Sequence, residues 1–159
     1  MRRKDREIKE ISEVIRIVEK AKILRLGLFD EEFPHIVPLH YGFEFKEGNF
    51  IFYAHSAKTG HKLDLIVKNP KVCVELDCDI ELVPSPDEAI PCKYGSKYAS
   101  VIAKGKAELI NEVQEKIYGL KLLMKNQTAK DFVIDEIMAA RVAVIKITTL
   151  SWSAKSRKY

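Results

Sequence analysis

Apolar residues in this 159-residue chain recur chiefly at every second position, the period of a strand with one buried face. Residues 71–79 show it most cleanly: Val72, Val74, Leu76 and Cys78 share one side, and Glu75, Asp77 and Asp79 share the other. The same reasoning predicts strands over 23–29, 34–45, 50–54, 98–110 and 141–150. Pro38 falls inside the second of these. A proline cannot donate to the ladder, so that strand must be an edge, bulged or irregular. The run 50–54 follows a turn at Lys46-Glu47-Gly48-Asn49, which predicts a hairpin.

Helical spacing appears in fewer places. A helix is expected from Ser12, which could cap it, with Ile11, Ile15 and Val18 as its apolar stripe. A short one over 62–67, with Leu63, Ile66 and Val67 on one face, ends at Asn69-Pro70. Residues 112–124 place Val113, Ile117, Leu120 and Met124 on one side of a longer helix, and 132–138 add a helical turn. Residues 80–95, with Pro84, Pro86 and Pro91, read as a long loop, and a basic tail begins at Trp152.

Six strands with few and short helices between them predict a single domain over 1–159: an antiparallel β-barrel with helices packed outside it. A parallel doubly wound sheet would need a helix after nearly every strand. Composition agrees with a globular protein, at 47% hydrophobic and 31% charged residues. The net charge of +4 suits a small anionic ligand as well as weak nucleic-acid contact. The N-terminus opens on charged residues with no apolar segment behind them, so a cytoplasmic location is expected. Three cysteines, with Cys73 and Cys78 on opposite faces of one strand and Cys92 apart, predict no disulfide framework. The absence of C-x-x-C and H-E-x-x-H spacings predicts no metal site.

The chemistry concentrates in His55-Ser56-Ala57-Lys58-Thr59-Gly60-His61-Lys62, a strand-to-helix turn. Free amides at a helix start, two lysines, two hydroxyls and a glycine together suit a phosphate. Thr59 serves equally well as a helix cap, and His55 as a core histidine at a strand end. Tyr41, Phe43 and Phe45, at every second position, fit a buried strand face or a wall against a flat ligand.

The segments VPLHYGFEF, FYAHSAKTGHKLDLI, PKVCVELD and YASVIAKGKAELI, in this order, resemble the flavin-binding split-barrel proteins. The branch is that of the 5-nitroimidazole-resistance (Nim-like) proteins, related to pyridoxamine 5′-phosphate oxidase. The resemblance spans residues 3–155. It implies a split antiparallel barrel that binds FMN at a homodimer interface. It places Ser56 and Lys62 on the phosphate, helped by His55 and Ala57. Val37, Pro38, Leu39, His40 and Tyr41 would lie along the isoalloxazine ring. Tyr98, Ser100 and Val101 would approach from the long strand, and Trp152 and Lys155 from the partner subunit. In such proteins position 40 is often asparagine and position 61 often lysine; here both are histidine.

The activity implied is FMN-dependent reduction of a small nitro- or quinone-like acceptor with electrons from NAD(P)H, with His55 as the catalytic proton donor. A flavin carries its own redox chemistry, so no catalytic triad or carboxylate pair is required. The alternative is a carrier or sensor that binds flavin or haem without turnover, and relatives of the fold also take the deazaflavin F420. A nucleic-acid-binding barrel is a third reading, motivated by the positive charge and the strand aromatics.

Overall fold

The fold is described from a computed structural model over residues 3–158. The elements run β1 (Glu7–Ile8), α1 (Ile11–Lys20), β2 (Leu24–Leu28), β3 (His35–Leu39), β4 (Tyr41–Lys46) and β5 (Asn49–Ser56). They continue with α2 (His61–Lys68), β6 (Lys71–Val83), β7 (Gly95–Ile110), α3 (Val113–Thr128), α4 (Glu136–Ala140) and β8 (Ala143–Arg157). All pairings are antiparallel. The sheet order is β3-β2-β6-β7-β8-β5-β4, with β1 added against β8.

The ends of that order explain the shape. β3 and β4 lie at opposite ends of the path, yet only His40 separates them in the chain. Two Cα–Cα steps span at most about 7.6 Å, so the sheet must curl until its ends meet. The result is a mainly antiparallel split barrel with flanking helices, as expected. The predicted strand over 34–45 is therefore two strands that turn away from each other at His40. Pro38 sits on β3, which pairs only with β2, so its missing amide proton breaks no central ladder.

The barrel is filled from inside by Leu24, Leu26, Tyr41, Phe50, Phe52, Leu76, Ile145 and Ile147, all fully buried. Helix α1 closes one end with Val14, Ile17 and Val18; Ile11 and Ile15 pack only partly against the core. Arg16 and Lys20 of α1 bind the Asp79 carboxylate on β6, Arg16 at 3.0 Å. Asp79 has φ 58° and sits where β6 slips register against β7, so one residue both bends the strand and holds the helix.

Several boundaries differ from the sequence expectation. Residues 81–83 pair with 95–97, so the loop shrinks to the stretch between β6 and β7. The basic tail is the second half of β8, and Trp152 lies within that strand, donating to Gly48 O at 3.0 Å. Ser12 does not cap α1, whose N-cap is Glu10. Glu112 caps α3, and the turn expected over 132–138 forms later as α4. Val67 is 74% exposed and Leu65 is buried in its stead; Val113 is likewise exposed, while Ile117, as expected, and Leu123 are the large buried side chains of α3.

Helix α3 lies flat on the outer face of β4 because Gly42 has no side chain. A Cβ there would stand 2.2 Å from Leu122 C and Leu123 N, which are backbone atoms with no rotamer to yield. Gly42→Ala should therefore destabilise the fold by ~1–3 kcal/mol or more. Gly27→Ala, which meets nothing closer than 3.4 Å, should cost far less. Thermal melts of the two variants decide the matter, and equal midpoints would mean that α3 is not held down at Gly42.

The thiols give a second check. Cys73 and Cys92 are exposed, whereas Cys78 packs against the core, and burial together with the Asp79 carboxylate pushes its pKa up to about 11. Cys73 and Cys92 should react quickly with an aromatic disulfide reagent at pH 8, and Cys78 only after denaturant is added. Three equally fast thiols would contradict this packing.

Candidate functional site

The turn after β5 is shaped by one backbone angle. Gly60 has φ 142° and ψ 156°, a region that side-chain-bearing residues rarely enter. It lets the chain reverse into α2 without a side-chain cap: Gly60 O accepts from Leu63 N at 2.9 Å and Asp64 N at 3.4 Å. Thr59 therefore does not serve as the cap. The first amides of α2, at His61 and Lys62, have no carbonyl within the helix to bind and form the positive end of its dipole. Strand β5 extends to Ser56, so His55 and Ser56 close the strand rather than open the loop. Ser56 is buried and donates to Ala57 O at 2.9 Å. Ala57, Lys58, Thr59 and Gly60 are exposed, and Lys62 is half-buried.

Beside this turn stands a second feature, a pair of imidazoles. Tyr41 pairs with Ala54 across β4 and β5, which puts His40 and His55 at the next positions outward. His40 Nδ1 lies 3.2 Å from Lys22 O and 3.1 Å from Gln127 Oε1. A carbonyl oxygen can only accept, so Nδ1 carries a proton and donates it to Lys22 O and Gln127 Oε1. The Gln127 amide is oriented by donating its other end to Tyr41 O at 2.9 Å, and Asn126 donates to the same oxygen at 3.0 Å. His55 is exposed but leans over an apolar hollow of about 360 Å³ lined by Leu120, Leu123, Met124, Phe132 and Met138. Loss of water on that side, with the nearby His40 second, lowers its pKa below the ordinary histidine value. Sequence inspection missed Asn126 and Gln127, because amides near the polar end of a helix look like solvent-facing residues.

Other candidates divide into two groups. Val37, Pro38, Leu39, His40 and Tyr41 approach the imidazole pair through the β3–β4 corner. Leu39 and Tyr41 give their side chains to the core, and Tyr41 Oη donates to Val18 O and Ala21 O at 2.5 and 2.7 Å. Of the two readings of Tyr41, Phe43 and Phe45, the buried strand face is the observed one: all three pack in or against the core. Val37 is partly buried and Pro38 is exposed.

Tyr98, Ser100, Val101, Trp152 and Lys155 form the second group. They stand on the far halves of β7 and β8, where Ser100 pairs with Lys155. His55 pairs with Val144 at the opposite end of β8. At about 3.3 Å per residue the Val144 and Lys155 ends of β8 are on the order of 35 Å apart along that strand. Across the sheet, however, Pro38, Arg25, Glu75 and Ile102 stand in register, so residues 37–41 lie about three strand spacings, roughly 15 Å, from the second group. Val101 is fully buried, Tyr98 accepts from Arg6 at 3.3 Å, and the Trp152 ring packs edge-on against Phe50.

The turn thus offers free amides, a half-buried lysine, an exposed lysine and a glycine that leaves room for close approach. That donor set fits a phosphate, provided that the Ser56 hydroxyl rotates away from Ala57 O. The imidazole corner next to it borders the apolar hollow beneath His55.

Residues 10–154 match the sequence model of a family described as pyridoxamine 5′-phosphate oxidase. No curated protein matches the chain. Among solved structures, a candidate 5-nitroimidazole antibiotic resistance protein from Bacteroides thetaiotaomicron is 25% identical. It superposes with a TM-score of 0.79 over 94% of this chain and 86% of its own. The flavocytochrome Anf3 from Azotobacter vinelandii has a TM-score of 0.77 at 17% identity, covering 100% of this chain and 72% of its own. A FAD- and haem-binding protein from Mycobacterium smegmatis has a TM-score of 0.78 at 14% identity, covering 97% and 74%. The last two likenesses concern the fold. The match over 10–154, on a split barrel of this strand order, places the chain in the pyridoxamine 5′-phosphate oxidase family.

Proposed function

We propose that this protein is an FMN-dependent oxidoreductase that passes electrons from NAD(P)H to a small nitro- or quinone-like acceptor. The observation that carries the reading is the juxtaposition of an anion-binding turn, 55–62, with the imidazole corner made by His40 and His55. Phosphate and ring systems need those two environments side by side. Among the solved neighbours, the protein named for 5-nitroimidazole resistance supports the acceptor class. A flavin- or haem-binding carrier without turnover is the second reading, favoured by the flavocytochrome and the FAD- and haem-binding neighbour. An absorbance spectrum of the purified protein separates flavin from haem, and anaerobic NAD(P)H titration separates an enzyme from a carrier. A haem spectrum, or a flavin that NAD(P)H leaves oxidised, would overturn the first reading.

In this reading Lys62, the first amides of α2 and the rotated Ser56 hydroxyl hold the phosphate, with Ala57 at its edge. The backbone of 37–41 lines the ring, since the side chains of Leu39 and Tyr41 are already committed to the core. Bound FMN supplies the redox chemistry. His40 is held in place by its Nδ1 proton and turns Nε2 to the ring side of the corner. His55 delivers a proton to the reduced acceptor.

The assembly proposed is a homodimer. Tyr98, Ser100, Trp152 and Lys155 lie toward the opposite end of β8 from the partner of His55, and in this assembly a second copy brings its β7–β8 end against the first copy's turn. Exposed Phe29, Phe33, Ile36 and Leu150, each more than 60% accessible, supply apolar surface for such an interface. Obligate interfaces commonly bury more than about 2,000 Å². Sedimentation at low micromolar concentration should show a dimer, and a flavin-loaded monomer would contradict the proposal.

Lys62→Ala removes one charge-assisted hydrogen bond, worth roughly 1.5–3 kcal/mol. FMN should bind about ten- to a hundredfold more weakly, while riboflavin, which lacks the phosphate, should bind as it does to the parent. Unchanged FMN affinity in a folded variant would remove Lys62 from the phosphate site.

His55 sets a pH profile. Its lowered pKa keeps it mostly neutral near pH 7, so the donating, protonated fraction grows as pH falls. Reoxidation of the reduced protein by a nitroaromatic acceptor should therefore speed up from neutral toward acidic pH. His55→Asn should flatten that profile and slow the step by roughly a hundredfold, with FMN affinity preserved. A parent profile that is already flat would leave His55 a structural residue.

A further inference from the structure

His61 is not turned toward the amides of its own turn. Its Nε2 lies 2.6 Å from Asp30 Oδ2, and its ring meets His35 edge-on with centroids 5.1 Å apart. Asp30 follows β2, His35 opens β3 and His61 opens α2, so three separate elements converge on one point. One ligand atom from each can be chosen so that all lie within 4.8 Å of one another. We propose that Asp30, His35 and His61 form a binding site for a divalent transition metal of the Zn²⁺ class.

The donor set suits that class of ion. Two imidazoles and one carboxylate match the mixed nitrogen–oxygen sites of zinc and related metals, not the all-oxygen sites of calcium or magnesium. Bonds of about 2.0–2.2 Å in tetrahedral geometry set the ligand atoms roughly 3.3–3.6 Å apart. Asp30 and His61 need only separate slightly from their hydrogen bond, and His35 needs to close in by a side-chain rotation. None of the three is fully buried, so an ion has an entry path.

The surroundings also prepare an anionic ligand. Asp30 Oδ1 accepts from Glu31 N at 2.8 Å, which fixes the plane of the carboxylate. The neighbouring Glu31 is paired with Lys68 at 2.8 Å. A backbone amide that holds a carboxylate in one plane, as Glu31 N does here, typically orients a metal ligand.

Three protein ligands leave a fourth position open, the pattern of sites that bind a water or substrate atom rather than of purely structural ones. His61 belongs both to this cluster and to the turn 55–62. A bound ion would therefore place a cation at the start of α2, independently of whether a flavin occupies the corner. Spacing rules could not find the site, because its ligands stand five and twenty-six residues apart on different elements.

The test uses the full-length protein with any affinity tag removed, stripped with a chelator and titrated with Co²⁺ and then Zn²⁺. One Co²⁺ per chain should bind and give visible ligand-field bands, which equimolar Zn²⁺ should abolish. Outer-shell changes alone cost ten- to a hundredfold in metal affinity, so His35→Ala and His61→Gln should each cost at least about tenfold. His61→Gln retains a hydrogen-bond donor for Asp30, and melting curves confirm that it folds. His40→Ala, which alters another of the chain's four histidines, should bind Co²⁺ as the parent does. No stoichiometric binding, or binding that survives both His35→Ala and His61→Gln, would overturn the site. So would binding lost in His40→Ala alone.

Discussion

A single-residue joint governs this molecule. Because His40 alone links the two terminal strands of the sheet path, the barrel has to close, and it has to close at that corner. Everything that surrounds the corner follows from the closure. Tyr41 is drawn inside and tied to α1, and Asn126 and Gln127 cap its carbonyl from α3. His40 is left on the rim with one nitrogen committed. Two hydrogen bonds to one carbonyl are individually modest, on the order of 1 kcal/mol each. Their effect is to give the corner one geometry.

The elements that meet there divide the labour. The strand ends supply shape, α2 supplies the free amides, and α3 supplies both the polar clamp and the apolar hollow beneath His55. Gly42 permits the last of these, since any side chain at that position would push α3 away from β4. The far halves of β7 and β8 carry a separate set of polar and aromatic groups, three strands across the sheet from residues 37–41.

Much of this was legible in the sequence, for a physical reason. Period-two alternation survives wherever one face of a strand is buried, so residues 71–79 and 98–110 announced themselves. The strand-to-helix turn was equally plain, because Gly60 and Asn69-Pro70 punctuate it. What failed was anything decided by distant partners. The split at His40 looks like continuous strand, since extended backbone occurs on both sides of it. Residues 81–83 and 152–157 gain strand structure only by pairing with 95–97 and with the first half of β7. Leu65 rather than Val67 packs in the core, and on α3 Leu123 is buried while Val113 at the first turn is not, because the sheet surface, not the helix alone, decides which side is inward. The Asp30–His35–His61 cluster was invisible for the same reason.

The strand order also has a kinetic consequence. β2 pairs with β6, bringing Arg25 opposite Glu75, and β5 pairs with β8, bringing His55 opposite Val144. Few of these ladders can form locally, and loop-closure entropy must be met before they stabilise anything. Folding of this chain is therefore expected to be slow, with β2–β3 and β4–β5 as early hairpins. Until the last ladder forms, the unpaired margins of those hairpins stay open to other chains. The N-terminal half leaves the ribosome with its sheet edges exposed, waiting for β8, and is most prone to aggregate during that interval.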